Sequence, residues 1–178
     1  MLTLLALQQR ATPLRSPHAF GHPVVAVNRA SSPPWVFMTK RLHMDCYAIG
    51  DTADFAKTIS EFDVYGFAGI VGDFFGVHVN EEYAKTTRFG KRIAQGALSV
   101  GFISTVMGYM AAKAPNPGAV SYRYDIMFLA PVYIGDTVTA RLTLVEKDEE
   151  RNTCVFEAAV TTQAGEVVAS GRTYLKVL

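Results

Sequence analysis

The longest helical pattern in the chain covers residues 96–113 and carries apolar side chains on nearly every side. No aspartate or glutamate interrupts this pattern, and the turn-forming run Pro115-Asn116-Pro117-Gly118 ends it. A helix that is apolar all round has no face suited to water, so we expect it to be buried. The apolar positions are Ala97, Leu98, Val100, Phe102, Ile103, Val106, Met107, Tyr109 and Met110.

Strand-like patterns occupy most of the remaining sequence. One short strand is predicted before the long helix, at residues 55–59, where apolar and polar residues alternate. The strands predicted after the helix are 120–128, 137–145, 154–162 and 167–178. The order strand, long helix, four strands predicts an α+β fold in which an antiparallel sheet wraps around the buried helix. This is the hot-dog arrangement.

A second, shorter helix is predicted between the first strand and the long helix. Ser60 has the side chain of a helix N-cap, and Glu61 and Asp63 place negative charge in the first turn. We expect this helix to end near Val71. The remaining predicted segments are a loop at 72–78, a short helical turn at 81–87 and a basic connection at 88–92.

Composition restricts the kinds of partner that this chain can bind. The net charge of +1 is unevenly distributed, because residues 1–44 contain five basic residues and no acid, whereas residues 45–178 contain 12 basic and 16 acidic residues. A mildly acidic domain argues against nucleic acid as a partner. Cys46 and Cys154 are too few for a disulfide framework and suit a reducing compartment. No apolar run approaches the roughly 18 residues that a membrane span needs, so we expect no membrane partner.

The amino-terminal 44 residues have two main interpretations, and both leave them outside the fold. Arginines, serines and prolines without acids are typical of a transit peptide, which would make the protein mitochondrial. Alternatively, translation starts at Met38 or Met44, and the protein is cytoplasmic. A secretory signal is disfavoured because the apolar run at residues 2–7 is short and no basic residue precedes it. We therefore expect a disordered or non-native extension at 1–44 and one domain at 45–178.

The residues best suited to catalysis or ligand binding lie between positions 72 and 96. His78 is the only histidine of the predicted domain and follows Asp73 by five residues, while Gln95-Gly96 opens the long helix. An imidazole exchanges protons near neutral pH, and a nearby carboxylate can share or orient the same water. A helix N-terminus offers N–H donors to negative charge, and glycine there leaves them accessible. These residues predict an acid/base pair beside an anion-stabilising site.

In this order and spacing the motifs resemble those of the MaoC-like hydratases, the (R)-specific enoyl-CoA hydratase branch of the hot-dog fold. The resemblance covers residues 50–178. It implies a hydro-lyase that reversibly hydrates the 2,3 double bond of an acyl thioester, usually carried on coenzyme A. It also implies a homodimer, with no metal and no further cofactor. The matching segments are Gly72-Asp73-x-x-x-x-His78, Gln95-Gly96, and Phe128-x-Ala130-Pro131-Val132-Tyr133-Ile134-Gly135-Asp136.

Hydration of such a thioester needs a base for water, an acid for the α-carbon, and donors for the thioester oxygen as an enolate forms. The resemblance assigns the acid/base work to Asp73 and His78. It assigns oxyanion and substrate binding to Gly96 and Gln95. Three basic residues are candidates for binding the phosphates of coenzyme A: Arg88, Lys91 and Arg92.

Two positions differ from the family pattern, and two other functions stay open. Phe75-Gly76 stands where the family usually has Asn-Pro, and Gln95 stands where it usually has histidine. A hot-dog acyl-CoA thioesterase is one alternative, although the long helix lacks the carboxylate that such enzymes commonly use. A non-catalytic acyl-thioester-binding subunit is the other. Ser99 and Ser104 are interpreted as surface or core-lining hydroxyls, because no second histidine of the domain is available to activate them.

Overall fold

The structure is a computed structural model that describes residues 44–178. The extension predicted at the amino terminus lies outside the described residues, except for Met44. Its side chain is buried in the core, with 1% of its surface exposed. No helix within the described range is long and apolar enough to cross a membrane.

Four helices and five strands make up the described part of the chain, and their order matches the predicted one except for a short helix at Gly76–Val79 that was not predicted. The first strand begins three residues earlier than predicted, and the long helix ends two residues earlier. In chain order they are β1 (Thr52–Thr58), α1 (Glu61–Val71), α2 (Gly76–Val79), α3 (Glu81–Lys85), α4 (Gly96–Ala111), β2 (Ala119–Phe128), β3 (Thr137–Asp148), β4 (Thr153–Thr162) and β5 (Val167–Val177).

The five strands form one antiparallel sheet in the order β1-β3-β4-β5-β2. Helix α4 contacts every strand of that sheet. Its fully buried residues Ile103, Val106 and Met107 join the inward-facing residues of the strands in a single core. This confirms the predicted α+β hot-dog fold.

Helix α4 is less completely buried than its composition predicts. Besides Gly96 and Tyr109, its exposed positions recur every three or four residues and form one stripe along the helix: Ala97, Gly101, Ser104 and Gly108. Residues at this spacing share a helix face. The expectation that α4 is covered on every side therefore does not hold for the single chain, because small residues keep this stripe open beside the edge strand β2.

The segment predicted as a loop at 72–78 contains the short helix α2, so His78 lies on a helical turn. The side chain of Tyr83 packs directly over this turn. A Cβ atom built on Gly76 would lie 2.8 Å from two carbon atoms of the Tyr83 side chain. The turn is therefore compact because residue 76 has no side chain.

Candidate active site

Three segments that are distant in sequence meet at the N-terminus of α4. The residues before α4 pair with the segment after β2 through the Ala94 N–H and the Val132 carbonyl, at 2.8 Å. The Ile93 N–H donates to the carbonyl oxygen of Val77 in α2, at 3.2 Å. These backbone hydrogen bonds place His78 beside the first turn of the long helix.

The imidazole of His78 is held on one side by the backbone. Its Nδ1 lies 2.8 Å from the carbonyl oxygen of Ile93. Because a carbonyl only accepts, Nδ1 carries a proton, and Nε2 is the acceptor of the neutral ring. That Nε2 lies 3.7 Å from Oδ2 of Asp73. The structure thus brings the two predicted acid/base residues together.

A tight turn after α1 orients the carboxylate of Asp73. The helix ends at Gly72, whose φ of 81° is a left-handed conformation that glycine adopts without strain. Oδ1 of Asp73 then accepts a hydrogen bond from the Phe75 N–H, at 3.3 Å. Oδ2 is the oxygen that faces His78. The side chain of His78 is 12% exposed, and that of Asp73 is 43% exposed.

Gly96 is the first residue of α4, and the side chain of the N-cap residue Gln95 does not cap this helix end. The first N–H groups of a helix lack intrahelical acceptors, so they remain available to a ligand. The ring of Phe128, at the end of β2, lies over Gly96. A Cβ atom built there would be 3.1 Å from three carbon atoms of that ring.

Gln95 is buried, and its amide links α4 to α1. Nε2 donates to the carbonyl oxygen of Val64 at 3.2 Å, which fixes the orientation of the amide. Oε1 is buried and has no hydrogen-bond partner among the described residues. Gln95 is therefore held in place at the site rather than free to reach outward.

A cavity of about 260 Å³ opens at this point and is lined by His78, Gln95 and Gly96. Asp73 does not line it and reaches the site through His78. Most of the other walls are apolar and come from the end of β2, the segment after it and β5: Phe128, Leu129, Pro131, Val132 and Val168. Such a cavity suits an apolar chain with a polar head.

The three basic candidates occupy different surroundings. Arg88 lines the cavity, and its guanidinium lies 5.0 Å from the ring centroid of Phe89. Lys91 is exposed, with Nζ 4.2 Å from the ring centroid of Tyr133. Arg92 instead forms ion pairs with two carboxylates on separate helices.

Arg92 is largely committed to ion pairs. Its guanidinium bonds Glu61 of α1 at 2.5 Å and Glu81 of α3 at 3.0 Å. These two carboxylates, that of Glu61 first, raise the pKa of Arg92. Of the basic group, the structure therefore leaves Arg88 and Lys91 without a carboxylate partner among the described residues.

Ser99 is a site residue that the sequence analysis interpreted as a surface or core-lining hydroxyl and did not assign to the site. It lines the cavity and is 6% exposed. Residues three apart share one helix face, and its spacing from Gly96 was the available signal. Ser104, by contrast, is exposed, and its Oγ bonds the Tyr124 hydroxyl at 3.3 Å.

Within residues 44–178, no three histidine, cysteine or carboxylate side chains come together as a possible metal site. The thiol of Cys154 is buried, and desolvation raises its pKa to about 11. Cys154 packs in the core rather than at the cavity.

Comparison with known proteins identifies the family. The model of the MaoC-like domain matches residues 46–166. The chain is 47% identical over 128 residues to the (R)-specific enoyl-CoA hydratase of Rhodospirillum rubrum, covering 72% of this chain and 86% of that protein. It is 39% identical over 137 residues to the 3-hydroxybutyryl-CoA dehydratase of Methylorubrum extorquens, covering 76% and 84%.

A solved structure supports the same assignment. The unliganded R-hydratase PhaJ1 of Pseudomonas aeruginosa aligns with a TM-score of 0.65 and 33% identity, over 74% of this chain and 82% of that one. The predicted resemblance is thereby confirmed over most of the described fold. The chain belongs to the MaoC-like dehydratase family.

Proposed function

We propose that this protein is a hydro-lyase that reversibly hydrates the 2,3 double bond of an enoyl-CoA to give the (R)-3-hydroxyacyl-CoA. One observation carries the proposal: the free Nε2 of His78 shares a cavity with the uncapped N-terminus of α4. The names of the Rhodospirillum and Methylorubrum relatives agree with this chemistry.

His78 acts as the base toward water. Its Nε2 and the Asp73 carboxylate are both acceptors, and their 3.7 Å separation is too long for a direct hydrogen bond. A water between them donates to both. As its oxygen bonds C3 of the substrate, one of its protons passes to His78.

Asp73 is the partner of His78 in protonating the α-carbon. The π electrons of the double bond move toward the thioester and leave an enolate, whose C2 then takes up one proton. The proton gained by the pair from water equals the proton delivered to C2, so the pair is regenerated in each turnover. The assignments of the two residues can be exchanged without changing this balance.

The N-terminus of α4 stabilises the enolate oxygen. Negative charge grows on the thioester oxygen during the reaction, and N–H donors at a helix N-terminus favour that charge. Gly96 leaves its own amide unobstructed, because it has no side chain between the amide and a ligand. Gln95 holds the first turn in place through its bond to Val64.

Arg88 and Lys91 are the proposed contacts for the phosphates of coenzyme A. Both side chains lie on the connection that borders the cavity, and both are exposed. A guanidinium or ammonium group without a carboxylate partner is suited to a phosphate. Arg92 is better assigned to the link between α1 and α3, since its charge is already paired.

We also propose that the protein is a homodimer formed through β2 and the exposed stripe of α4. Among the described strands, β2 pairs only with β5, so no strand of residues 44–178 covers its other edge. Tyr122 and Met127 on this strand are 55% and 66% exposed. A second copy that joins the sheet at β2 would cover this edge and the neighbouring stripe. Sedimentation of a stable monomer at micromolar concentration would contradict the dimer.

The experiment that tests the activity is a panel of enoyl-CoA substrates, beginning with crotonyl-CoA. Hydration removes the absorbance of the conjugated double bond. Release of free thiol instead would identify a thioesterase, and binding without either change would identify a non-catalytic acyl-thioester-binding subunit. We expect loss of absorbance without thiol release.

A further inference from the structure

Ser99 is a cavity-lining residue whose hydroxyl the fold does not use. No side-chain hydrogen bond is formed by Ser99 in the part of the chain that the structure describes, although it is only 6% exposed. The hydroxyl of Thr105, on the same helix, instead bonds the Gly101 carbonyl at 3.2 Å. A serine hydroxyl that opens on a cavity and has no partner in the fold can both donate to and accept from a bound ligand, so Ser99 is suited to a ligand contact.

Two of the buried polar residues lie together at the cavity. Three polar residues are buried in the described structure: Gln95, Ser99 and Thr173. Thr173 lies in the core, and its hydroxyl bonds the sulfur of Met107 at 3.1 Å. Gln95 and Ser99, by contrast, both line the cavity, and Oε1 of Gln95 is buried without a hydrogen-bond partner among the described residues.

We propose that Ser99 is a substrate-contacting residue that binds the oxygen on C3 of the acyl group. This oxygen belongs to the attacking water in hydration and to the 3-hydroxyl group in dehydration. The inference rests on the proposed function, and it adds a specificity residue to the pair formed by Asp73 and His78.

The position of Ser99 along α4 supports this assignment. Three residues of an α-helix rise by about 4.5 Å, and residues three apart lie on the same face. A thioester oxygen held at Gly96 therefore places C3, two carbons further along the acyl chain, toward Ser99. The C3 oxygen is the one polar atom of the acyl group beyond the thioester. A serine hydroxyl can both donate to it and accept from it.

Two matched ligands test this contact without turnover. They are 2,2-difluoro-3-hydroxybutyryl-CoA and 2,2-difluorobutyryl-CoA, which differ only in the 3-hydroxyl. Neither can lose water to form the enoyl product, because C2 carries no hydrogen. Dissociation constants are measured by calorimetry for the wild type, Ser99→Ala and the control Thr105→Ala, a hydroxyl of the same helix that does not line the cavity, with folding checked by circular dichroism.

We expect Ser99→Ala to weaken binding of the hydroxylated ligand roughly three- to tenfold, as for one lost hydrogen bond. Binding of the ligand without the hydroxyl stays within about twofold, and Thr105→Ala changes neither constant. An equal loss for both ligands, or no loss for either, overturns the assignment. Hydration of crotonyl-CoA by the wild type is measured separately, so failure of the proposed function is recognised independently of this comparison.

Discussion

Gly171 of β5 lies against the backbone of Asp125 in the neighbouring strand β2. A Cβ atom built on Gly171 would stand 1.9 Å from the Asp125 carbonyl oxygen. This atom belongs to the backbone and cannot rotate away as a flexible side chain would. The pairing of β2 with β5 therefore requires a residue without a side chain at position 171.

We expect Gly171→Ala to reduce the free energy of unfolding by about 3 kcal/mol or more, since the strands must separate to admit the methyl group. Urea unfolding of the purified variant measures this loss. Gly66→Ala in α1 is the matched control, because a Cβ atom there meets nothing within 4 Å. Its unfolding free energy should be unchanged or higher by up to about 1 kcal/mol. Equal stability of the two variants would contradict the close approach.

Asp73→Asn and His78→Ala should each reduce turnover of crotonyl-CoA by roughly 100- to 10,000-fold, the usual range for a lost general acid or base. The double variant should be little worse than the poorer single variant, because the two residues act as a unit. Steady-state kinetics measure both effects, and circular dichroism confirms the fold. Near-normal turnover in either single variant would exclude the acid/base pair.

Gly96→Ala should reduce turnover of crotonyl-CoA roughly tenfold or more, because the methyl group obstructs the amide that serves the enolate oxygen. Two causes are possible, since the same methyl group also meets the ring of Phe128 at 3.1 Å. Adding Phe128→Ala to Gly96→Ala removes the ring contact but leaves the amide obstructed. We expect turnover to stay low in this double variant relative to Phe128→Ala alone. Recovery to the level of that single variant would assign the glycine to packing.

Asp63 predicts a pH-dependent contribution to stability. It completes a capping box with Ser60 at the start of α1 and bonds Lys57 at 3.1 Å. Burial alone would raise the pKa of Asp63, but the hydrogen bonds from Ser60 and the contact with Lys57 outweigh it and lower the pKa. The stabilisation is therefore complete above the ordinary aspartate value of 3.8 and is lost as the pH falls through the lower folded value.

Asp63→Asn should accordingly lower the unfolding free energy by about 1 kcal/mol at pH 7. The difference between the wild type and the variant should shrink as the pH falls below about 4. Thermal unfolding over this pH range measures the difference. A gap that stays constant down to pH 2 would show that the Asp63 charge is not responsible.

Local patterns predicted the parts of the site that depend on neighbours in sequence. Ser60 as a cap and Gly96 as a helix start were correct, because caps and helix entries involve residues within one turn. The ion pairs of Arg92 were not predicted, since they involve Glu61 and Glu81 on two other helices. Such contacts depend on tertiary packing, which periodicity does not report.

The helical turn at His78 was also missed, for a related reason. Its compactness depends on Tyr83, which packs over Gly76 from the following helix. Ser99 was placed on the correct helix but was interpreted as a surface or core-lining hydroxyl, whereas it lines the cavity. Ser99 faces the cavity because the segment after β2 lies beside the start of α4. The hydrogen bond between Ala94 and Val132 holds that segment in place.

Phe128 lies at both the proposed dimer interface and the proposed oxyanion site. This residue ends β2, the strand proposed to meet a second copy, and its ring rests on Gly96 at the proposed oxyanion site. Separation of two subunits would free the strand that holds the ring against the helix. Specific activity would then fall on dilution below the dimer dissociation constant, so that protein concentration itself would set the catalytic rate per subunit.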